Sequence, residues 1–276
     1  MRGWALVAGL ALAACARAPV PAAAGLAHPT IVSLNPCSDA VLTEIARPAQ
    51  LLAISAFSQD PSSSSMDLAV ARRFRAVGGT VEEVLALRPD LVVADDFLPA
   101  PTAAALQDER IAVVRLPIAH SVDESRAQVM QLARLAGQPE RGQAMLARID
   151  AALSRAAPPS GSAPVTAVVW QSGGIVPGDK SLIADLLRRT GFTSLSAAQG
   201  MRQADFLPLE AMLADPPQVI LATGNAQGNE DRLLAHPALA ALRTTRRERL
   251  DPRLLWCGGP SIARTAERLA AIRETL

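Results

Sequence analysis

The chain has 276 residues, half of them hydrophobic, with 27 Lys and Arg against 26 Asp and Glu. That length supports one large or two medium domains with a real core. A formal net charge of +1 excludes the strong one-signed field that nucleic acid or an acidic surface would require.

The first residues read as an export leader. Arg2 supplies a short positive start, and Trp4 to Ala14 form an apolar run shorter than the roughly 20 residues of a spanning helix. Two processing routes fit. Leu12-Ala13-Ala14-Cys15 reads as a bacterial lipobox, with Cys15 lipidated as the mature N-terminus. Ala22-Ala23-Ala24 or Gly25-Leu26-Ala27 suits ordinary signal peptidase. Residues 1–27 are therefore expected to be leader and tether. The mature protein is expected in an oxidising compartment, touching membrane only through a lipid on Cys15.

After the leader, short apolar runs alternate with amphipathic stretches. Strands are predicted at Ile31–Leu34, Leu51–Ser55, Leu91–Ala94 and Ile111–Leu116. Helices are predicted at Ser38–Ala46, Val81–Leu87, Thr102–Gln107 and from Val122 onward. This alternation is the pattern of an α/β layer with a mainly parallel sheet. The segment from Gln138 to Ala156 differs, because Met145, Ile149, Ala152 and Leu153 recur at helical spacing. Pro139 suits its first turn. The predicted helix is about 28 Å long, enough to bridge two lobes, and Pro158-Pro159-Ser160-Gly161-Ser162 stops it. A second α/β series follows. It has strands at Val165–Trp170 and Val219–Ala222, helices at Leu182–Arg189 and Leu209–Ala214, and a last helix from Pro260.

The two halves repeat each other. Val81 to Ala94 aligns without gaps on Leu209 to Ala222, with Glu82 over Glu210 and Pro89 over Pro217. In each copy the proline ends a helix and a buried strand follows. The fold expected is α/β: two similar lobes with mainly parallel sheets, joined by one long interlobe helix. The lobes are placed at 28–137 and 158–276, with the connecting helix at 138–157.

These pieces in this order resemble the periplasmic binding proteins for vitamin B12, iron–siderophore complexes and haem. The resemblance runs from about Thr30 to the C-terminus. It rests on Ile31-Val32-Ser33-Leu34-Asn35-Pro36, Leu87-Arg88-Pro89-Asp90-Leu91-Val92, the interlobe helix, Gly178-Asp179-Lys180-Ser181 and Pro217-Gln218-Val219-Ile220. It implies a monomeric, non-catalytic subunit of an ABC importer in the periplasm, with limited lobe closure. Its cargo would be an iron–siderophore or corrinoid, its partner a permease dimer with ATPase subunits. The resemblance also implies one exposed docking glutamate per lobe, here Glu82 and Glu210. The alternatives are a haem- or metal-ion-binding protein of the same fold using Cys37, His120 and Cys257, or a sensor module that has lost transport.

The residues offer little to catalysis. His28, His120 and His236 make no metal-ligand spacing, and neither Ser172-Gly173-Gly174 nor Gly258-Gly259 continues into a phosphate-binding loop. Asp95-Asp96 reads as a solvated loop end more readily than as a metal pair. Ligands of open α/β sheets sit outside the carboxyl ends of the strands. There Phe57, Phe97, Trp170 and Trp256 offer flat faces to a macrocycle or aryl chelator, against a reading as core filling. Arg253 is a candidate partner for an anionic chelate, whereas Arg72, Arg73 and Arg75 read as a solvated face. The resemblance puts Cys37 and Cys257 at the cleft on opposite lobes. Three readings stay open for them: a disulfide, thiolates meeting a metal or chelate with His120, or two small buried residues.

Overall fold

The computed structural model of the protein describes residues 27–223 and 236–276. The expectation for Cys15 lies outside the described residues.

The N-terminal lobe runs β1 (Ile31–Ser33), α1 (Pro36–Ile45), β2 (Leu51–Ser55), α2 (Leu68–Ala71), β3 (Ala76–Val77), α3 (Val81–Leu87), β4 (Leu91–Asp95), α4 (Ala100–Asp108), β5 (Ala112–Leu116) and α5 (Val122–Leu135). Its strands pair in parallel in the order β3-β2-β1-β4-β5. A long helix, α6 (Pro139–Ala156), follows. The C-terminal lobe runs β6 (Val165–Trp170), β7 (Ile175–Pro177), α7 (Leu182–Arg189), β8 (Phe192–Ser194), α8 (Leu195–Ala198), β9 (Ala204–Phe206), α9 (Leu209–Ala214), β10 (Val219–Ala222), α10 (Pro237–Ala240), β11 (Arg246–Arg249) and α11 (Ser261–Glu274). Its parallel sheet has the order β11-β10-β6-β8, and β7 pairs antiparallel with β9 in a separate ribbon.

Read from β8, the second sheet repeats the path β2-β1-β4-β5 of the first. The aligned segments become α3–β4 and α9–β10, so the sequence repeat is a structural repeat. Local chemistry explains why each copy folds alike. β4 and β10 are continuous apolar runs buried on both faces, as central parallel strands require. α3 starts on a capping box between Thr80 and Glu83. It ends on Arg88 in the left-handed conformation, just before Pro89. α9 lacks a side-chain cap and starts on Pro208.

α6 holds the lobes together. Its 18 residues span about 27 Å and pack on α5 of one lobe and α11 of the other. Gly142 permits the first approach, since a Cβ there would stand 2.4 Å from that of Ala133. Arg141 donates to the carbonyls of Ile45 and Ala46 at 3.2 and 3.0 Å, satisfying the open end of α1. From the other lobe, Arg273 donates to Ala156 O at 3.0 Å. One apolar core runs from Ile31 through Ile149 to Ile272, with satellite cores under the other face of each sheet. The lobes thus share a core, which opposes a large hinge motion.

One carboxyl lies inside this packing. Asp39 of α1 is fully buried, and its Oδ2 accepts from Ser55 N at 2.9 Å and Ser58 Oγ at 2.6 Å. Burial pushes its pKa up to about 7, against hydrogen bonds from Ser33, Ser58 and Ser55 that pull it down. A raised native pKa means the folded state holds the proton more tightly. The associated stability is present below pH 4 and is lost as pH rises through about 7. Asp39→Asn is therefore expected to flatten the loss of stability between pH 4.5 and 7.5 by about 3 kcal/mol. Urea unfolding of both proteins at the two pH values measures this, and parallel pH profiles would exclude it.

Candidate functional site

The carboxyl ends of both sheets open on an interlobe cavity of about 430 Å³, within the range of small-molecule sites. Its N-terminal wall is set by Asn35 and Asp95. Asn35 caps α1, accepting from Cys37 N at 2.7 Å and Ser38 N at 3.2 Å, and its Nδ2 donates to Asp95 Oδ2 at 2.6 Å. Asp95 Oδ1 accepts from Phe97 N at 2.9 Å. One oxygen thus holds the Phe97 turn and the other holds Asn35, which explains the carboxylate without a metal role.

The cavity floor is where the lobes meet. The sulfurs of Cys37 and Cys257 are 2.18 Å apart with Cα atoms 5.0 Å apart, forming a disulfide across 220 residues. Beside it, Gly259 N donates to Ser125 Oγ at 2.8 Å. Gly258 has no room for a side chain, because a Cβ would stand 2.2 Å from Ser125 Oγ. The Trp256–Pro260 turn thereby lies flat against α5. Deeper between the lobes, Asp185 accepts from Val122 N at 2.9 Å and pairs with Arg189 at 3.0 Å.

The lining is apolar with polar points. Phe97, Ile118 and Trp256 expose large apolar surfaces to it, at 74%, 47% and 48% accessibility. Gln171 and Gln203 contribute amides that make no side-chain hydrogen bond among the described residues. Asp95 and Lys180 are its charged residues, and no arginine lines it among the described residues. His120 sits on the rim; its backbone N–H donates to Glu124 at 2.7 Å, while its buried Nδ1 has no partner.

Cys37, Phe97, His120, Trp256 and Cys257 are thus gathered at one cavity. Three other expected ligand residues are not. Trp170 is fully buried in the C-terminal core with Leu195, Leu207 and Met212. It ends β6, but its side chain is turned into the layer beneath the sheet. Phe57 faces a neighbouring groove with Leu34, Pro36 and Glu82. Arg253 is held by Asp251 through Nε and Nη2, at 3.1 and 2.7 Å to Oδ2. That pairing holds the Asp251 carboxyl below its usual range and raises the guanidinium pKa. The thiolate-ligand reading of the cysteines meets the disulfide, in which each sulfur is bonded to the other. No cluster of three His, Cys, Asp or Glu able to hold an ion occurs among the described residues.

The cavity also takes in Gln171, Gln203, Lys180 and Ser125, none of them among the individual ligand residues expected from the sequence. Gln171 directly follows a strand and Lys180 lies in a recognised motif, so both were findable. Ser125 and Gln203 carried no signal, being single polar residues on a helix and a loop. Glu82 and Glu210 are exposed in the first turns of α3 and α9. Neither takes part in an ion pair among the described residues.

The architecture is shared with solved periplasmic proteins. The haem-binding protein HutB of Vibrio cholerae is 17% identical, covers 90% of this chain and 99% of its own, and superposes with a TM-score of 0.72. A haem-binding protein of Pseudomonas aeruginosa is 24% identical over 88% and 92%, with a TM-score of 0.67. The vitamin B12-binding protein BtuF of V. cholerae is 19% identical over 89% and 96%, also at 0.67. No curated protein sequence is significantly similar to this one. The sequence profile described as "Periplasmic binding protein" matches residues 31–253. With that match across most of its length, on two parallel-sheet lobes joined by a single helix, the chain belongs to the periplasmic binding protein family.

Proposed function

We propose that this protein is the substrate-binding subunit of an ABC importer. It captures a corrinoid-type metal macrocycle between its lobes in the periplasm and delivers it to an inner-membrane permease. The supporting observation is the make-up of the cavity lining. Broad apolar faces of Phe97 and Trp256 stand beside unpaired amides of Gln171 and Gln203, with no arginine among the described lining residues. A corrinoid is a wide ring rimmed by neutral amides, so it wants ring faces for its body and amide partners for its edge. An anionic ferric siderophore wants guanidinium groups, and Lys180 is the one cationic lining residue described.

Haem is the second reading. The unpaired His120 ring favours it, as do the haem-binding proteins among the structural neighbours. Haem iron takes a His, Cys, Met or Tyr ligand. The chain has no tyrosine, the cavity cysteines are bonded to each other and no methionine is among the described lining residues, which leaves His120 to supply that ligand.

Calorimetric titration with cyanocobalamin and with haemin tests the assignment. Cyanocobalamin is expected to bind, and Trp256→Ala is expected to weaken it by about 1–3 kcal/mol through lost apolar contact. Absence of cyanocobalamin binding, together with a haemin Soret band that shifts in His120→Ala, would replace the corrinoid by haem.

A further inference from the structure

A second cavity, of about 480 Å³, lies behind the cargo site and is also within the range of small-molecule sites. The two share no lining residue among those described. Helix α1 is the wall between them: Cys37, Ser38 and Val41 face the cargo cavity, whereas Ala40, Thr43 and Glu44 face the second one. The segment from Ser65 to Val70, the middle of α6 and the start of α11 complete the lining. The second cavity therefore touches both lobes and the helix that joins them. Its walls are largely apolar, with Met66, Val70, Met145 and Ile149. Three polar features on these walls favour negative charge. Ser65 is 1% accessible, and its Oγ has no hydrogen-bond partner among the described residues, a costly state unless a ligand supplies one. Arg264 donates through Nη2 to the Ser65 carbonyl and takes part in no ion pair among the described residues, so further N–H donors of its fork stay available. The 14-residue helix α11 begins at Pro260 without a side-chain cap, which leaves the positive end of its dipole uncompensated. The two acids in the lining are already committed. Glu44 pairs with Arg148, and Asp67 caps α2, its Oδ1 accepting from Ala69 N at 2.8 Å.

We infer that this second cavity is a binding site for a small organic carboxylate with an apolar body, separate from the cargo site. The carboxylate accepts from the Arg264 guanidinium and the Ser65 hydroxyl at the start of α11, a charge-assisted arrangement of the strong kind. The apolar body covers the methionine and aliphatic surface, which gains from leaving water. Other ligand classes fit less well. An inorganic anion leaves the apolar walls wet. A neutral hydrocarbon leaves the Ser65 hydroxyl unpaired. An organic cation meets the guanidinium and the helix dipole with the wrong sign. The inference stands apart from the identity of the cargo, since α1 separates the two cavities.

The test is calorimetric titration of the full protein with octanoate, and with octylammonium as the probe of similar body and opposite charge. Octanoate is expected to bind one-to-one, and octylammonium at least tenfold more weakly. Arg264→Gln is expected to weaken octanoate at least tenfold. Ser65→Ala is expected to weaken it at least threefold while the thermal midpoint of the free protein holds or rises, because the unpaired hydroxyl is gone. Ala263→Phe fills the cavity from α11 without removing a polar group and is expected to abolish octanoate binding. Ser65→Ala removes only a hydroxyl, so it keeps the test open should the larger ring disturb the fold. Trp256→Ala, in the cargo cavity, is expected to leave octanoate affinity unchanged. No octanoate binding to the wild type would overturn the inference, as would octylammonium binding equally well. Wild-type octanoate affinity in both Arg264→Gln and Ser65→Ala would overturn it too. Loss of octanoate binding in Trp256→Ala would overturn it by moving the probe to the cargo cavity.

Discussion

Replacing Cys37 and Cys257 by serine is expected to lower the unfolding free energy by about 5 kcal/mol, the chain-entropy value for a loop of this length. The bond closes 220 residues of a 276-residue chain, so it removes many conformations from the unfolded ensemble. Folded domains are stable by only about 5–15 kcal/mol, and the thermal midpoint should fall by roughly 10–20 °C at this size. The native arrangement should persist. The Ser125–Gly259 hydrogen bond, the close fit of Gly258 and the α6 packing hold the lobes in place independently. The loss therefore acts mainly through the unfolded state, and urea titrations of the wild type with and without reductant should reproduce it. A midpoint insensitive both to reductant and to the double substitution would exclude this role. Non-reducing peptide mapping would then show whether the thiols were free.

Glu82→Arg combined with Glu210→Arg is expected to abolish transport and stimulation of the importer's ATPase while leaving cargo affinity unchanged. Both carboxylates are solvent-exposed, at corresponding first-turn positions of the two structural repeats. A first-turn acid also suits the helix dipole, but that effect amounts to about 0.3–1 kcal/mol and asks nothing of a partner. In α3, moreover, the capping is done by the neighbouring Glu83, whose carboxylate accepts from Thr80 N at 3.2 Å and is held below its usual pKa. Glu82 is thereby free for another use. Reversing both charges sets like against like at each contact, which costs several kcal/mol and suppresses pairing. Transport assays in cells lacking the wild-type subunit, with ATPase measurements on the reconstituted complex, read the effect. Full transport by the double variant would end the docking assignment, and a loss of cargo affinity would point to cleft damage.

The elements whose chemistry is local were legible in the sequence. α6 was readable from its apolar spacing and the prolines at either end, and β4 and β10 from their unbroken apolar runs. The repeat of α3–β4 in α9–β10 declared two lobes before any contact was known, because a helix, a proline and a buried strand each impose their own residue pattern. The short elements were not readable. β11 is Arg246-Arg247-Glu248-Arg249, an edge strand made by pairing with β10 and without an apolar face of its own. β7 and β9 are three residues each and exist because they pair across 26 intervening residues of chain. For the site, strand ends named the right loops but could not aim the side chains. Trp170, Phe57 and Phe97 all follow or end strands, yet one turns into the core, one to an outer groove and one to the cavity. Which way each points depends on the packing beneath it. The cysteines show the same division: their position at two loops was sequence information. Whether 220 residues of chain would return one sulfur to the other was decided by the shared core and α6, since only tertiary packing fixes distances between parts of the chain that are far apart in sequence.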